Sequence, residues 1–180
     1  MKKIILFAAV VMMAGFSTTA MAQTSATVAA TAVGAKLIVP MTLTQTAPLH
    51  FGSITLLDAT GGTVVLPSNS ATRSFTGKVS ASTITPVATN AAYNVTGSNS
   101  ATYALNLPAT ILVTDPVSTK AMTISALTAR FANTVGVDAV TSTLSAGGID
   151  NFTVGGTLTV GISQAGGIYA ATFPVTVDYN

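Results

Sequence analysis

Apolar and polar residues alternate along most of this chain with the two-residue period of β-strands. The pattern is strongest in the last fifteen residues, where every second position carries an apolar or aromatic side chain: Tyr169, Ala171, Phe173, Val175, Val177 and Tyr179. In an extended strand these side chains share one face, and a largely more polar set shares the other. We expect this segment to be either the last strand of a closed β-fold or an edge offered to another chain.

Further strand-like runs, rich in β-branched residues, cover much of the remaining chain. They lie at 37–44, 49–56, 63–66, 74–79, 93–96, 103–107, 111–114, 122–127 and 157–162. Turn residues such as Gly61-Gly62, Asp115-Pro116, Gly155-Gly156 and Gly166-Gly167 separate them. Short strands spaced in this way predict an all-β sandwich or barrel. One Ala-rich stretch, 125–133, could hold a short helical turn.

The first 22 residues are predicted to be a secretory signal peptide. Met1-Lys2-Lys3 is basic, residues 4–16 are apolar, and Ala20 and Ala22 are the small residues that define cleavage before Gln23. The apolar run is shorter than the roughly 20 residues that a bilayer span requires. We therefore expect an exported chain without a membrane span, located in the periplasm, on the outer surface or outside the cell.

The segment that follows the signal is the least core-like part of the chain. Residues 23–35 alternate weakly, with small side chains at Val28, Ala30, Ala32 and Gly34 on one face. Two interpretations remain open: a flexible leader, or a donor strand that pairs with a groove in another subunit. The remainder, residues 36–180, is predicted to form a single β-sandwich domain.

The charge of the chain argues against nucleic-acid binding, and its lack of cysteine excludes disulfide bonds. Only 7% of the residues are charged, against about 25% in ordinary soluble domains. After the signal, five basic residues balance five aspartates, so a basic surface for nucleic acid is not supported. The chain has no cysteine, so packing and sheet hydrogen bonds must stabilise the fold without disulfides.

The inventory of reactive side chains argues against an enzyme. His50 is the only histidine, and no G-x-S-x-G motif accompanies it. Glutamate is absent, and most aspartates lie in predicted turns, where Asp is common for backbone reasons. No His/Cys cluster suits zinc, and no calcium-binding loop motif is present. We predict a non-enzymatic protein with no catalytic residues, metal site or cofactor.

The order of motifs resembles a family of secreted bacterial proteins, the "domain of unknown function 4402" family. The resemblance rests on LHFGSI at 49–54, GGTVVL at 61–66, LNLPATI at 105–111 and GGIYAATFPVTVDYN at 166–180, among others. It covers nearly all of the chain after the signal. It implies an immunoglobulin-like β-sandwich and carries no activity.

The C-terminal segment also resembles the last strand of chaperone–usher fimbrial subunits and spore-coat-U-type proteins. Those strands have a penultimate Tyr and a Gly fourteen residues from the end, positions held here by Tyr179 and Gly167. The resemblance implies a groove that a periplasmic chaperone fills first and the leader of the next subunit fills afterwards, at an outer-membrane usher. The implied assembly strand carries Gly167, Tyr169, Phe173, Val175, Val177 and Tyr179.

Pro174 bears on whether this segment is an edge. Proline has no N–H to donate and is confined largely to edge strands, first positions or bulges. Its place inside the alternating run favours an edge, and a bulge in a fully paired strand remains the alternative.

Together these observations predict an exported structural subunit, fimbria-like or surface-coat-like, that forms a homopolymer by β-strand addition. The alternative is a self-contained secreted module that binds a carbohydrate or matrix ligand through its loops.

Overall fold

Fourteen strands are formed by the part of the chain that the structure describes. A computed structural model of the protein describes residues 30–134 and 136–180. The strands are β1 (Thr42–Ala47), β2 (His50–Phe51), β3 (Ile54–Leu56), β4 (Gly62–Leu66), β5 (Ser74–Gly77), β6 (Val79–Ala81), β7 (Ala88–Thr89), β8 (Ala91–Thr96), β9 (Thr102–Asn106), β10 (Thr110–Thr114), β11 (Ala121–Phe131), β12 (Thr141–Thr143), β13 (Ile149–Val160) and β14 (Thr176–Tyr179). Within these ranges there is no helix long and apolar enough to cross a membrane.

The long strand β13 organises a seven-stranded antiparallel sheet. One of its edges pairs with β11, and the other pairs first with β8 and then with β4. Strand β1 extends the sheet beyond β8, β10 extends it beyond β11, and β5 pairs with β4. The sheet curls into a half-barrel, since strand twist accumulates across so many neighbours.

Three smaller antiparallel sheets complete the fold. Strands β12, β9 and β14 form a three-stranded sheet in that order. Strand β2 pairs with β7, and β3 pairs with β6. The prediction of an all-β single domain is confirmed. The compact unit spans Leu37–Asn180, and the described residues before it, 30–36, are exposed and without regular structure.

Every second residue of β13 points inward along the whole strand. Two apolar cores lie along this inward face. The first core contains Ala91, Tyr93, Val95, Tyr103, Leu105, Ala129, Phe131, Leu144, Phe152 and Val154. The second contains Phe51, Val64, Leu66, Val79, Ile111, Val113, Ile124, Leu158 and Val160. Aromatic rings pack closely in the first core, where the centroids of Tyr93 and Phe152 are 5.0 Å apart.

The Ala-rich stretch 125–133, which could have held a short helical turn, contains none: residues 125–131 belong to strand β11 and residues 132–133 form a bend. A β-bulge between Ser125 and Thr128 inserts one extra residue there, and Ala126 has a φ of 49°. The extra residue changes the phase of the strand. As a result Ile124 faces the second core while Phe131 faces the first.

Gly155-Gly156 is not the turn that the sequence predicts but the middle of β13. A Cβ atom at Gly155 would lie 2.2 Å from the carbonyl oxygen of Leu66, at the end of β4. Glycine at this position therefore permits the close approach of two strands.

Candidate functional site

The C-terminal segment crosses from one sheet to another and is regular only at its end. Ala170 makes an isolated antiparallel bridge to Thr114 of β10, with N···O distances of 3.1 and 3.2 Å. Residues 171–175 then form no ladder, and β14 pairs with β9 over Thr176–Tyr179. The predicted single strand over 169–179 is thus too long. Pro174 lies in the stretch between the two sheets, where its missing N–H removes no ladder hydrogen bond.

Burial along this segment follows the alternation. Side chains at five odd-numbered positions are half-buried, whereas Ala171 and the even-numbered positions from Ala170 to Asn180 are exposed. Tyr169 and Phe173 pack against the second core; Val175, Val177 and Tyr179 pack against the first. The segment therefore contributes one apolar face to both cores.

Strand β14 lies at the edge of its sheet. Its only strand partner among the described residues is β9. The Asn180 N–H donates to the Thr102 carbonyl oxygen at 3.1 Å, which sets the phase of the ladder. In an antiparallel pair the backbone groups of alternate residues point to opposite sides. The N–H and C=O groups of Thr176 and Asp178 therefore point to β9. Those of Val177 and Tyr179 point to the open edge.

The Tyr179 hydroxyl ties this strand to the beginning of the domain. It accepts a hydrogen bond from the Ser98 N–H at 2.6 Å and donates one to the Val39 carbonyl oxygen at 2.7 Å. The Val39 N–H in turn donates to the Ser98 Oγ at 2.7 Å. A Cβ at Gly97 would come within 2.3 Å of the Tyr179 hydroxyl, so glycine leaves room for this contact.

Gly167 stands against the carboxylate of Asp115. A Cβ at Gly167 would lie 2.6 Å from one carboxylate oxygen. The Ser118 hydroxyl and N–H both donate to Asp115, and these bonds lower the pKa of its carboxyl. Any side chain at position 167 would therefore collide with this carboxylate, and glycine permits the close approach.

The predicted donor and cleavage residues lie at or beyond the limit of the described chain. Ala30, Ala32 and Gly34 are exposed and have no regular structure. Val28, and the cleavage residues Ala20 and Ala22, lie outside the described residues.

A buried polar cluster, not anticipated from the sequence, joins the two sheets around Asp150. Its carboxylate accepts hydrogen bonds from the Tyr103 hydroxyl at 3.0 Å, the Ser142 hydroxyl at 2.7 Å, and the backbone N–H groups of Asn133 and Asn151 at 3.1 and 2.8 Å. Burial, with the neighbouring Asp150, raises the pKa of Tyr103. Four donors satisfy the carboxylate, as a buried charge requires.

Two other polar groups have structural contacts. The Nδ1 atom of exposed His50 accepts a hydrogen bond from the Gly52 N–H at 2.7 Å. The Arg73 guanidinium donates to the carbonyl oxygens of Phe51 and Ser53 at 2.7 and 2.9 Å. Among residues 30–134 and 136–180, no group of three or more His, Asp or Glu side chains is placed to hold a metal ion.

A cleft of about 550 Å³ opens beside the bulge of β11. Leu107, Leu127 and Ala139 line it together with Asp138. Burial alone would raise the pKa of Asp138, but hydrogen bonds from Ser68, Arg130 and Thr128 outweigh it and lower that pKa. The Arg130 Nε lies 2.9 Å from the Asp138 carboxylate.

The fold and the site define an all-β domain that carries its C-terminal strand at a sheet edge. The model of the family described as "Domain of unknown function (DUF4402)" matches residues 41–179, and the chain belongs to that family. The resemblance to this family is thereby confirmed, whereas the resemblance to chaperone–usher subunits stays a prediction. No curated protein matches the chain.

Proposed function

We propose that the protein is an exported structural subunit, built as an immunoglobulin-like sandwich, which assembles by β-strand addition. The observation that carries the proposal is the edge of β14, where alternating apolar side chains meet outward-facing backbone groups. An added strand gains main-chain hydrogen bonds at such an edge, and the alternate side chains set its register.

Strand β1 supports the proposal because it is a second edge beside the same core. It pairs with β8, and no strand of the described chain pairs with its other side. Met41 and Leu43 are half-buried against the first core, as are Val175 and Val177 of the C-terminal segment. An incoming strand that lay between these two edges would cover apolar side chains from both.

The small side chains of the leader suit a shallow groove. First-core residues such as Val95 and Tyr103 are already fully buried without any added strand. Ala and Gly would bury little further apolar surface, so backbone hydrogen bonds would supply most of the affinity. The leader is then needed for assembly, and the domain folds without it.

The experiment compares residues 23–180 with a variant that lacks residues 23–35. Heat-sensitive ladders on a denaturing gel are expected from the longer chain and absent from the shorter one. Both chains should unfold at similar denaturant concentrations, since the cores form without the leader. Ladders that persist without the leader would contradict its role as donor, and a full-length chain that forms only monomers would contradict the proposal as a whole.

A pair of proline variants tests the edge itself. Val177→Pro removes one N–H that points to the open edge of β14 and leaves the ladder to β9 intact. Leu112→Pro is the matched control, because the Thr114–Ala170 bridge places the Leu112 N–H on the outer edge of β10. We expect the ladders to disappear with Val177→Pro and to remain with Leu112→Pro. Equal ladders from both variants would exclude the edge of β14 as the acceptor.

The alternative, a binding module for a carbohydrate or matrix ligand, has the cleft beside β11 in its favour. Apolar lining with an ionised carboxylate at Asp138 is typical of sites for small or extended ligands. Binding to a glycan or matrix array that Leu127→Glu abolishes, in a chain that shows no ladders, would favour this function over strand addition.

A further inference from the structure

Four loops meet at the end of the domain where β4 and β11 begin and β10 and β13 end. The Lys78 N–H donates to the Gly61 carbonyl oxygen at 2.8 Å, and the Ser163 N–H donates to the Ala59 carbonyl oxygen at 2.7 Å. The Thr114–Ala170 bridge brings the fourth loop, 115–120, next to the loop 161–169. We refer to residues 57–61, 77–78, 115–120 and 161–169 as the apolar loop end.

Large apolar side chains project from three of these loops into solvent. The exposed fractions are 61% for Leu57, 90% for Val117, 77% for Ile162 and 81% for Ile168. Val117 and Ile168 line a shared depression of about 460 Å³. Exposed apolar residues grouped in this way mark an interaction surface.

Many polar groups of residues 57–61 and 115–120 are satisfied within those two loops. Asp115 accepts from the Ser118 N–H and hydroxyl, and its own carbonyl oxygen accepts from the Thr119 N–H at 2.9 Å. The Asp115 N–H donates to the Lys120 carbonyl oxygen at 3.0 Å. Asp58 accepts from the Thr60 N–H at 2.8 Å. These two loops can enter a medium without hydrogen-bonding partners at little cost. In the loop 161–169 the Ser163 N–H is bonded to Ala59, whereas the buried side-chain nitrogen of Gln164 has no partner.

These loops carry two lysines and two aspartates, so their net charge is zero, but the exposed lysines outnumber the exposed carboxylates. Lys78 and Lys120 are both exposed, whereas Asp115 is only 2% exposed and Asp58 is the one exposed carboxylate of these loops. Lysine ammonium groups at the margin of an apolar surface are attracted to anionic headgroups, while their aliphatic stems lie along the apolar region.

We propose that the apolar loop end docks on an anionic lipid bilayer, with Val117, Ile162 and Ile168 inserted among the headgroups and Lys78 and Lys120 at the phosphates. Apolar tips on separate loops fit a deformable partner better than a rigid one. The proposal does not rest on strand addition, because it uses neither the β14 edge nor the leader.

The test is vesicle flotation of residues 23–180. Phosphatidylcholine vesicles are compared with vesicles of phosphatidylcholine and phosphatidylglycerol in equal amounts. Binding is expected to the anionic vesicles and to be weak on the neutral ones. The double variant Val117→Ser, Ile168→Ser should lose at least about tenfold in partitioning, given the apolar surface removed. Lys120→Gln should lose about fivefold, as expected for one cation at an anionic surface.

Val137→Ser is the matched control, because Val137 is exposed to 59% and lies outside these loops. It should float like the unaltered chain, as should Val177→Pro, which separates this result from the strand-addition test. Absence of binding to anionic vesicles, or full binding by the Val117→Ser, Ile168→Ser variant, would overturn the proposal. A lipid-free dimer that this double variant abolishes would assign the surface to a second copy instead, and would overturn it as well.

Discussion

The Tyr179 hydroxyl offers the sharpest test of how the C-terminal strand is held. Tyr179→Phe keeps the ring against the first core and removes only the oxygen that joins Ser98 to Val39. The Ser98 N–H then loses its acceptor, and Ser98 is 7% exposed, so water can replace the hydroxyl only in part. The Val39 residue is more exposed, so water can replace the hydroxyl at its carbonyl oxygen and the loss of stability there is smaller.

The expected loss follows from these two contacts. A net hydrogen bond is worth about 0.5–1.5 kcal/mol, and a buried donor left without an acceptor costs about 1–3 kcal/mol. We therefore expect the free energy of unfolding to fall by about 2 kcal/mol. For a domain of this size the melting temperature should fall by roughly 4–8 °C.

Urea denaturation of residues 23–180 measures this effect, with Tyr169→Phe as the matched control. Tyr169 lies in the same segment, and its hydroxyl donates only to the Ala165 carbonyl oxygen, at 2.7 Å. The free energy of unfolding of Tyr169→Phe should fall by about 1 kcal/mol or less. The reasoning is refuted if the two variants are destabilised equally, or if Tyr179→Phe unfolds at the midpoint of the unaltered chain.

Three further predictions concern the polar groups and a glycine of the domain. Asp150→Asn should lower the free energy of unfolding by about 2–4 kcal/mol in urea titration, since an amide cannot accept from all four donors. Gly52→Ala should cost about 1–3 kcal/mol in the same assay, because its φ is 72° and the new Cβ would lie 2.8 Å from the Arg73 Nη1. The lowered pKa of Asp138 contributes stability that is present above about pH 4 and lost as the pH falls through its folded value. Asp138→Asn should therefore flatten the acid limb of the stability profile, and an unchanged limb would exclude that contribution.

Period-two alternation suffices to predict the class of fold, because the longer strands, such as β8, β10 and β13, bury mainly every second residue. The C-terminal run shows this best: the residues predicted to share a face are half-buried, apart from Ala171. The alternation persists across 171–175 although that stretch has no strand partner. Alternation of side chains indicates that the backbone is extended. It does not indicate which strand, if any, pairs with that backbone.

Strand β13 shows where sequence patterns fail. The sequence pattern does not predict its first half, where an aspartate occupies an inward position, and it predicts a turn at its centre, where two glycines lie. Both features depend on distant residues: Tyr103 and Ser142 supply donors to Asp150, and the chain after Leu66 crowds Gly155. A single sequence does not show which residues will approach these positions.

The change of sheet within the C-terminal segment explains why its outer edge can stay open. A strand that continued along β10 from Ala170 would leave the first core without Val175 and Val177, while one that lay along β9 throughout would leave the second core without Tyr169 and Phe173. Crossing at Pro174 serves both cores, and it leaves β14 only four residues long with one neighbour. Short edge strands limit unspecific pairing, so in the proposed assembly an added strand would need contacts with β1 as well as with β14. The Tyr179 hydroxyl, which donates to the Val39 carbonyl oxygen three residues before β1, links the two edges that the proposed assembly would use.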